Sequence, residues 1–109
     1  NVKVFELNGP LFFGSADKVA EIATDKKTQF VILRMRGVTA LDSTAMNSLE
    51  ALYENCQKNE IKLILSHVNA QPLSVMNKSG FVKAVGKENF CEHIDAALAR
   101  AQKLSKQNT

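Results

Sequence analysis

Hydroxyl and acidic side chains occur together in the stretch Ala40–Leu49, ALDSTAMNSL, where the sequence pattern predicts the start of a helix. Asp42, Ser43 and Thr44 are residue types that can serve as a nucleophile, a phosphate acceptor or a helix cap. A side-chain oxygen just before a helix accepts a hydrogen bond from a backbone N–H that lacks a partner, and this contributes about 1 kcal/mol. The same helix end favours negative charge, so a phosphate on Ser43 or a bound anion would be stabilised there. We predict that Asp42 or Ser43 caps the helix, and phosphorylation and anion binding stay open as functions.

A serine hydrolase would require a histidine that takes the proton of Ser43. The chain contains two histidines, His67 and His93, and Asp42 would have to orient one of them. Because Asp42 adjoins Ser43 in sequence, its carboxylate cannot easily orient an imidazole that serves the same serine. The sequence also shows no group of His, Cys, Asp and Glu residues with metal-ligand spacing. The residues therefore predict a protein that is not an enzyme and that needs neither a metal nor a cofactor.

The segment Gly80–Glu88, GFVKAVGKE, is similar in composition to a phosphate-binding loop. Such a loop has four residues between its glycines and a Ser or Thr that holds magnesium. Here five residues separate Gly80 from Gly86, and Glu88 stands at the magnesium position. Gly80 is instead predicted to end a helix and Gly86 to lie in a turn. Nucleotide binding is kept as a weak third hypothesis, based only on the anion preference of helix ends.

The composition is typical of one globular domain and argues against several classes of protein. The 109 residues carry a net charge of +3 that is scattered, without the basic patch of a nucleic-acid-binding surface. No signal peptide is evident, and no apolar run is long enough to span a bilayer. Cys56 and Cys91 are predicted to be reduced thiols in or near the core, as in cytoplasmic proteins. Because the chain lacks an initiator methionine, we expect residues 1–109 to be a single domain excised from a longer protein.

The elements that position the acidic and hydroxyl residues are predicted from two apolar runs. Gln29–Met35 is a continuous apolar run with β-branched residues, and Ile61–His67 is a second run of the same kind. Such runs are typical of strands buried on both faces. Leu33 and Ile64 should therefore be fully buried. A helix is predicted between the runs, over residues 43–58, and its apolar residues at helical spacing are Met46, Leu49, Leu52, Tyr53 and Cys56. A strand, a helix and a strand of this length form a right-handed parallel crossover.

The remaining segments complete a predicted α/β fold. Asn8 and Gly9 are typical of a tight turn, so residues 2–13 are predicted to form an antiparallel hairpin, followed by a helix that Ser15 caps. Further along the chain, a helix is predicted over Gln71–Ser79, a short strand over residues 81–85 and a last helix over Cys91–Leu104. The fold class is therefore predicted as α/β with a mixed β-sheet, the hairpin being followed by parallel strands, packed with about four α-helices.

The stretch Leu41–Ala45, LDSTA, is similar to the D-S-[ST]-[GA] signature of STAS domains, which are named for sulfate transporters and anti-sigma factor antagonists. The resemblance runs from Val4 to about Ala101. In stand-alone antagonists the serine after the aspartate is phosphorylated, and it corresponds to Ser43. Ala45 stands where those antagonists usually carry Gly, so the approach of a kinase to this serine can differ.

Four longer motifs resemble the cytoplasmic C-terminal STAS domain of bacterial SulP transporters, namely GPLFFGSADK, VILRMRGVTALDSTA, QPLSVMNKSGF and VGKENFCEHIDAALARA. Such transporters move sulfate, bicarbonate, chloride or dicarboxylates. The resemblance implies a non-catalytic regulatory or interaction domain at the cytoplasmic face of the inner membrane. Its implied partners are the membrane domain of its own transporter and other cytoplasmic proteins. The alternative is a stand-alone anti-sigma factor antagonist switched by phosphorylation of Ser43.

A partner surface is predicted beside Ser43, on the polar side of the helix that this residue begins. The apolar residues of that helix should face the core, which leaves Asn47, Glu50 and Glu54 on the exposed side. We expect a partner to contact these three residues together with the Ser43 loop.

Overall fold

The computed structural model describes residues 2–8 and 28–107, which form a parallel β-sheet with helices on both faces. In chain order the elements are β1 (Val2–Asn8), β2 (Phe30–Gly37), α1 (Ser43–Lys58), β3 (Lys62–Ser66), α2 (Ala70–Ser79), α3 (Phe81–Val85), a 3-10 turn (Lys87–Asn89), β4 (Phe90–Cys91) and α4 (Ile94–Gln107). The sequence predicted α1 with these bounds, and it predicted β2 and β3 to within two residues at each end.

The strands of the described residues lie in the order β1-β2-β3-β4, and each neighbouring pair is parallel. The predicted antiparallel hairpin is therefore not supported, because β1 pairs in parallel with β2. Residues 9–29 separate these two strands, which is enough chain for the crossover of a dozen or more residues that a parallel pair requires. The second strand of the predicted hairpin and the helix that Ser15 was to cap lie outside the described residues.

The two central strands are buried on both faces, as the apolar runs predicted. Successive side chains of a strand point to opposite faces, so alternate residues of β2 and β3 enter two separate cores. Leu33 packs into the larger core with α1, α2 and α3, whereas Ile64 packs into the smaller core against Ala97 and Ala101 of α4. Both Leu33 and Ile64 are 0% exposed, which confirms the prediction that they are fully buried.

The segment after α2 is a helix, so the prediction of a strand over residues 81–85 is wrong. Gly80 ends α2 in the left-handed conformation, with φ of +85°, as the sequence predicted. The chain then enters α3 directly, and the carbonyl oxygen of Gly80 accepts a hydrogen bond from the N–H of Ala84 at 3.0 Å. Phe81 and Val85 lie four residues apart and are both buried on one helical face. The last strand is instead β4, and α4 begins at Ile94 instead of Cys91.

Candidate functional site

The predicted site lies in the loop that joins β2 to α1, at the edge of the sheet where the carboxyl ends of the parallel strands meet. Ligand sites of open α/β sheets usually lie at this edge. Val38 and Leu41 anchor the loop because their side chains are buried in the larger core. Thr39 and Ala40 between them are exposed. The loop is therefore anchored at both ends, and its middle and the start of α1 are exposed to solvent.

Asp42 is the residue that caps α1. Its backbone is extended, with φ of −93° and ψ of 176°, and its Oδ1 accepts a hydrogen bond from the N–H of Ala45 at 2.7 Å. The carbonyl oxygen of Asp42 accepts the N–H of Met46 at 2.9 Å. Ser43 is then the first residue of the helix and Thr44 the second, and both are exposed. The structure thus decides between the two predicted caps and leaves the Ser43 hydroxyl on the surface.

Two amide side chains from the start of α2 hold this loop, and the sequence did not predict them. Asn69 Nδ2 donates to the carbonyl oxygens of Arg36 at 3.0 Å and Val38 at 2.7 Å. Gln71 Nε2 donates to the carbonyl oxygen of Leu41 at 3.3 Å, and Gln71 Oε1 accepts the N–H of Leu41 at 2.8 Å. We call Asn69 and Gln71 the amide clamp. Because the clamp satisfies backbone groups that a loop would otherwise leave to water, it fixes the position from which Ser43 projects.

Ala45 explains why the site requires a small residue. It is 1% exposed and packs into the larger core, in the same first turn of α1 as the exposed Ser43 and Thr44. A longer side chain there would displace core residues and tilt the first turn of α1, because protein interiors have little free volume. Alanine satisfies this limit, so the departure from glycine leaves the local backbone helical.

Ser43 begins a polar stripe along α1 that includes Asn47, Glu50 and Glu54. Residues three or four apart share one helical face, and Asn47 and Glu54 are exposed while Glu50 is half-buried. The two glutamates line a shallow groove of about 220 Å³ between α1 and the junction of α2 with α3. Tyr53 lies in this groove, and its hydroxyl donates to the carbonyl oxygen of Ala84 at 2.7 Å. The predicted surface is therefore one continuous face with a structured groove beside it.

This face is acidic although the whole chain is basic. Residues 37–57 contain three carboxylates, those of Asp42, Glu50 and Glu54, and no Lys, Arg or His, whereas the chain as a whole has a net charge of +3. Lys58, four residues after Glu54 in the last turn of α1, is the basic residue nearest to these carboxylates along the helix, so Asp42 and Glu50 have no positive neighbour within one turn. The face therefore favours a partner that brings positive charge.

The described residues bring no catalytic set together around Ser43. The carboxylate of Asp42 is engaged by the cap, and in the described residues neither His67 nor His93 has a hydrogen bond with Ser43. Among the described residues, no group of three or more His, Cys, Asp and Glu side chains could hold a metal ion. Gly86, with φ of +104°, leads into the 3-10 turn, so residues 80–88 do not form a phosphate-binding loop.

The two cysteines are free thiols, one inside the core and one at its border. Cys56 is fully buried in the larger core, and burial raises the pKa of its thiol to about 11. Cys91 is half-buried, and burial raises its pKa too, while the nearby Arg100 guanidinium opposes that rise. Since the thiolate is the reactive form of cysteine, both residues are poor nucleophiles at neutral pH.

The chain is similar to proteins of one family. A family model described as STAS domain matches residues 1–97. Sulfate transporter 4.1, chloroplastic, of Arabidopsis thaliana is 30% identical over 112 residues, covering 89% of this chain and 16% of that protein. The crystal structure of a sulfate transporter family protein from Wolinella succinogenes has a TM-score of 0.89 and 39% identity, over 96% of this chain and 88% of that one. The STAS domain of a SulP transporter from Vibrio cholerae has a TM-score of 0.85 and 29% identity, over 97% and 84%.

The length of the match differs between these relatives. The chain spans only 13–18% of the curated sulfate transporters that it matches, while it covers most of the two solved structures above. A candidate anti-sigma factor antagonist from Thermotoga maritima has a TM-score of 0.79 at 15% identity, over 93% of this chain and 87% of that one. That likeness shows a shared fold alone.

Proposed function

Because the chain belongs to the STAS domain family, we propose that it is a non-catalytic regulatory and interaction domain of a SulP-type secondary anion transporter. The observation that carries this proposal is the 39% identity to the Wolinella succinogenes protein over 96% of the chain. The small share of the curated relatives that the chain covers suits a domain that works inside a larger transporter.

The proposed place of the domain is the cytoplasmic face of the inner membrane. In the described part of the chain, none of the helices has the length and apolarity that a bilayer crossing demands. Cytoplasmic loops of membrane proteins carry an excess of Lys and Arg. The acidic face of α1, around Glu50 and Glu54, is complementary in charge to such loops. We therefore assign this face to contact with the membrane domain of the same transporter.

The chemistry at Ser43 supports a switch on that face. The hydroxyl is exposed, it stands at a helix N-terminus, and the amide clamp fixes the loop before it. A phosphate there would be stabilised by the helix end but opposed by the adjacent Asp42 carboxylate. The modification would therefore change the contact face more than the stability of the fold.

The second candidate function is that of a stand-alone anti-sigma factor antagonist switched at Ser43. The shared fold at 15% identity and the D-S-T-A sequence favour it. In both proposed functions Ser43 lies on a contact surface. The partner is the membrane domain of the transporter in the first function and an anti-sigma factor in the second. The reading frame that encodes the chain separates them, since apolar spans upstream support the transporter and a start codon near Asn1 supports the antagonist.

The proposal is tested in the full-length transporter by measuring anion uptake in vesicles, with sulfate, bicarbonate and dicarboxylate as the panel of substrates. Ser43→Glu and Glu54→Lys should change uptake or assembly while the isolated domain keeps its melting temperature. Lys103→Glu, an exposed residue of α4, is the matched charge-reversal control and should leave uptake unchanged. If both α1 variants transport like the wild type in a correctly inserted carrier, the contact face is assigned wrongly and only the cap role remains.

A further inference from the structure

The groove between α1 and the junction of α2 with α3 combines carboxylates with aromatic rings. Glu50 and Glu54 line it on the α1 side, together with the half-buried Tyr53. Phe81 at the start of α3 is buried beneath the groove and meets Tyr53 edge to face, with ring centroids 6.0 Å apart and an angle of 76° between the ring planes. The groove, of about 220 Å³, is therefore a depression with an aromatic base and an acidic side.

The two carboxylates of the groove have no cation to neutralise them. Glu50 and Glu54 lie four residues apart, and like charges at this spacing destabilise a helix. The described residues that line the groove include no Lys, Arg or His. In the part of the chain that the structure describes, neither carboxylate makes a hydrogen bond or an ion pair, although Glu50 is half-buried. A positive group between the two glutamates would relieve this repulsion.

The end of α2 adds negative potential on the other side of the groove. Ser79 is the last residue of α2, Gly80 follows it in the left-handed conformation, and both line the groove. The last carbonyl groups of a helix carry a partial negative charge and favour a cation nearby. Lys78 belongs to the same turn but is exposed and does not line the groove. Two carboxylates and a helix C-terminus therefore flank one position that suits a positive group.

The ring of Tyr53, and not its hydroxyl, is the part that a ligand meets. The hydroxyl donates to the carbonyl oxygen of Ala84 at 2.7 Å and accepts a hydrogen bond from Gln57 Nε2 at 2.9 Å. These two bonds hold the ring between α1 and α3. A guanidinium group stacks on aromatic rings and pairs with carboxylates through a planar fork of donors, whereas an ammonium group acts as a point charge. The groove therefore favours arginine over lysine.

We propose that the groove binds the side chain of one arginine in a cytoplasmic loop of the membrane domain, a partner that follows from the proposed transporter function. Such loops are rich in Lys and Arg. The guanidinium pairs with Glu50 and Glu54 and lies against the ring of Tyr53, while the end of α2 adds its electrostatic attraction. The acidic face of α1 thus has one defined position at which the loop is held.

The test is NMR titration of the isotope-labelled 109-residue chain, at low ionic strength, with the capped peptide Ac-Gly-Arg-Gly-NH2. The matched control peptides carry lysine or citrulline in the middle position. Lysine keeps the charge without the planar fork, and citrulline keeps the shape without the charge. The arginine peptide should shift the amide signals of Tyr53 and Gly80 until they saturate. The lysine peptide should bind about threefold more weakly, and the citrulline peptide should not bind.

Glutamine variants test the two carboxylates, because glutamine keeps the shape of glutamate and removes its charge. Glu50→Gln and Glu54→Gln should each weaken binding of the arginine peptide by about threefold, and added salt should weaken it in the wild type as well. Glu92→Gln is the matched control, at an exposed glutamate outside the groove, and should bind the peptide as the wild type does.

Equal binding of the arginine and citrulline peptides, or wild-type affinity in both groove variants, would overturn the arginine site. Uptake by the Glu54→Lys carrier reports separately on the transporter function. If uptake changes in that carrier while the arginine peptide fails to bind, the contact face is assigned correctly and the arginine site is wrong. If the peptide binds but Glu54→Lys leaves uptake and assembly unchanged, the arginine does not come from the membrane domain, which also overturns the proposal.

Discussion

Replacement of Asn69 tests whether the amide clamp holds the Ser43 loop. Asn69 precedes the first residue of α2, where asparagine and aspartate usually cap helices equally well. Its side chain makes no cap hydrogen bond here, because its amide donates instead to the carbonyl oxygens of Arg36 and Val38. Asn69→Ala removes both donated bonds. Asn69→Asp also places a carboxylate against two carbonyl oxygens, so the two roles predict opposite effects for aspartate.

The magnitude follows from the two bonds. A typical intramolecular hydrogen bond contributes about 0.5–1.5 kcal/mol, and the bond to Arg36 is exposed to solvent whereas the bond to Val38 is partly buried. Asn69→Ala should therefore lower the free energy of unfolding by about 1–2 kcal/mol, which corresponds to roughly 5–12 °C in melting temperature. Asn69→Asp should cost more than Asn69→Ala, because it adds electrostatic repulsion to the lost donors.

Urea unfolding followed by circular dichroism measures these differences, and amide hydrogen exchange at Leu41 reports on the loop itself. Asn47, exposed on α1, provides the matched control. Asn47→Ala and Asn47→Asp should each stay within about 0.5 kcal/mol of the wild type. A neutral or stabilising Asn69→Asp would refute the clamp, because it would show that the residue acts only as a helix cap.

Substitutions at five other residues test the two cores, the helix cap, a buried thiol and the junction of α2 with α3. Leu33→Ala and Ile64→Ala should each cost about 2–5 kcal/mol, and an unchanged urea midpoint at either site would contradict its burial. Asp42→Ala should cost about 0.5–2 kcal/mol in the same assay and Asp42→Asn less, since asparagine keeps an accepting oxygen. The fold holds Cys56 in its protonated form, because burial raises the pKa of the thiol to about 11. The free energy of unfolding should therefore not depend on Cys56 ionisation below the unfolded pKa of about 8.5, and it should fall as pH rises from there toward 11. Cys56→Ala should remove the share of this fall that comes from the thiol. Gly80→Ala should lower the free energy of unfolding by about 1–2 kcal/mol, and Gly80→Asn by less, because asparagine tolerates the left-handed backbone better than alanine does. No atom lies within 4 Å of the position that a Cβ would take here. Equal costs for the two variants would therefore contradict this backbone explanation.

Local patterns predicted the elements whose signals are long and regular. The bounds of α1 were correct because a capping residue, an apolar stripe and a run of helix-forming residues agree over sixteen positions. The five residues Phe81–Val85 were mistaken for a strand, because β-branched and aromatic residues in so short a run fit the helical period of 3.6 residues and the strand period of 2 equally well. Only the burial of Phe81 together with Val85 shows the helical face.

Long-range contacts could not be predicted in this way. Gln71 reaches Leu41 across 30 residues, and Asn69 reaches Val38 across 31. Neither amide belongs to a periodic pattern, and the only available signal was two amides directly after a buried strand. The Asn8-Gly9 pair is a signal of local chain direction only. It carries no information about the strand with which β1 pairs, and that strand is β2.

The smaller core has a consequence for the order in which the chain is made. Ile32 and Ile64 are covered by Ala97 and Ala101 of α4, so both strands are synthesised before the helix that covers them. On the ribosome, the surface that α4 covers on β2 and β3 therefore lacks this helix until α4 has emerged, and chaperones would find apolar strand residues there in the meantime. We expect a stop codon before position 94 to give a product that cells degrade or deposit as aggregates, even though it retains Ser43 and its whole contact face.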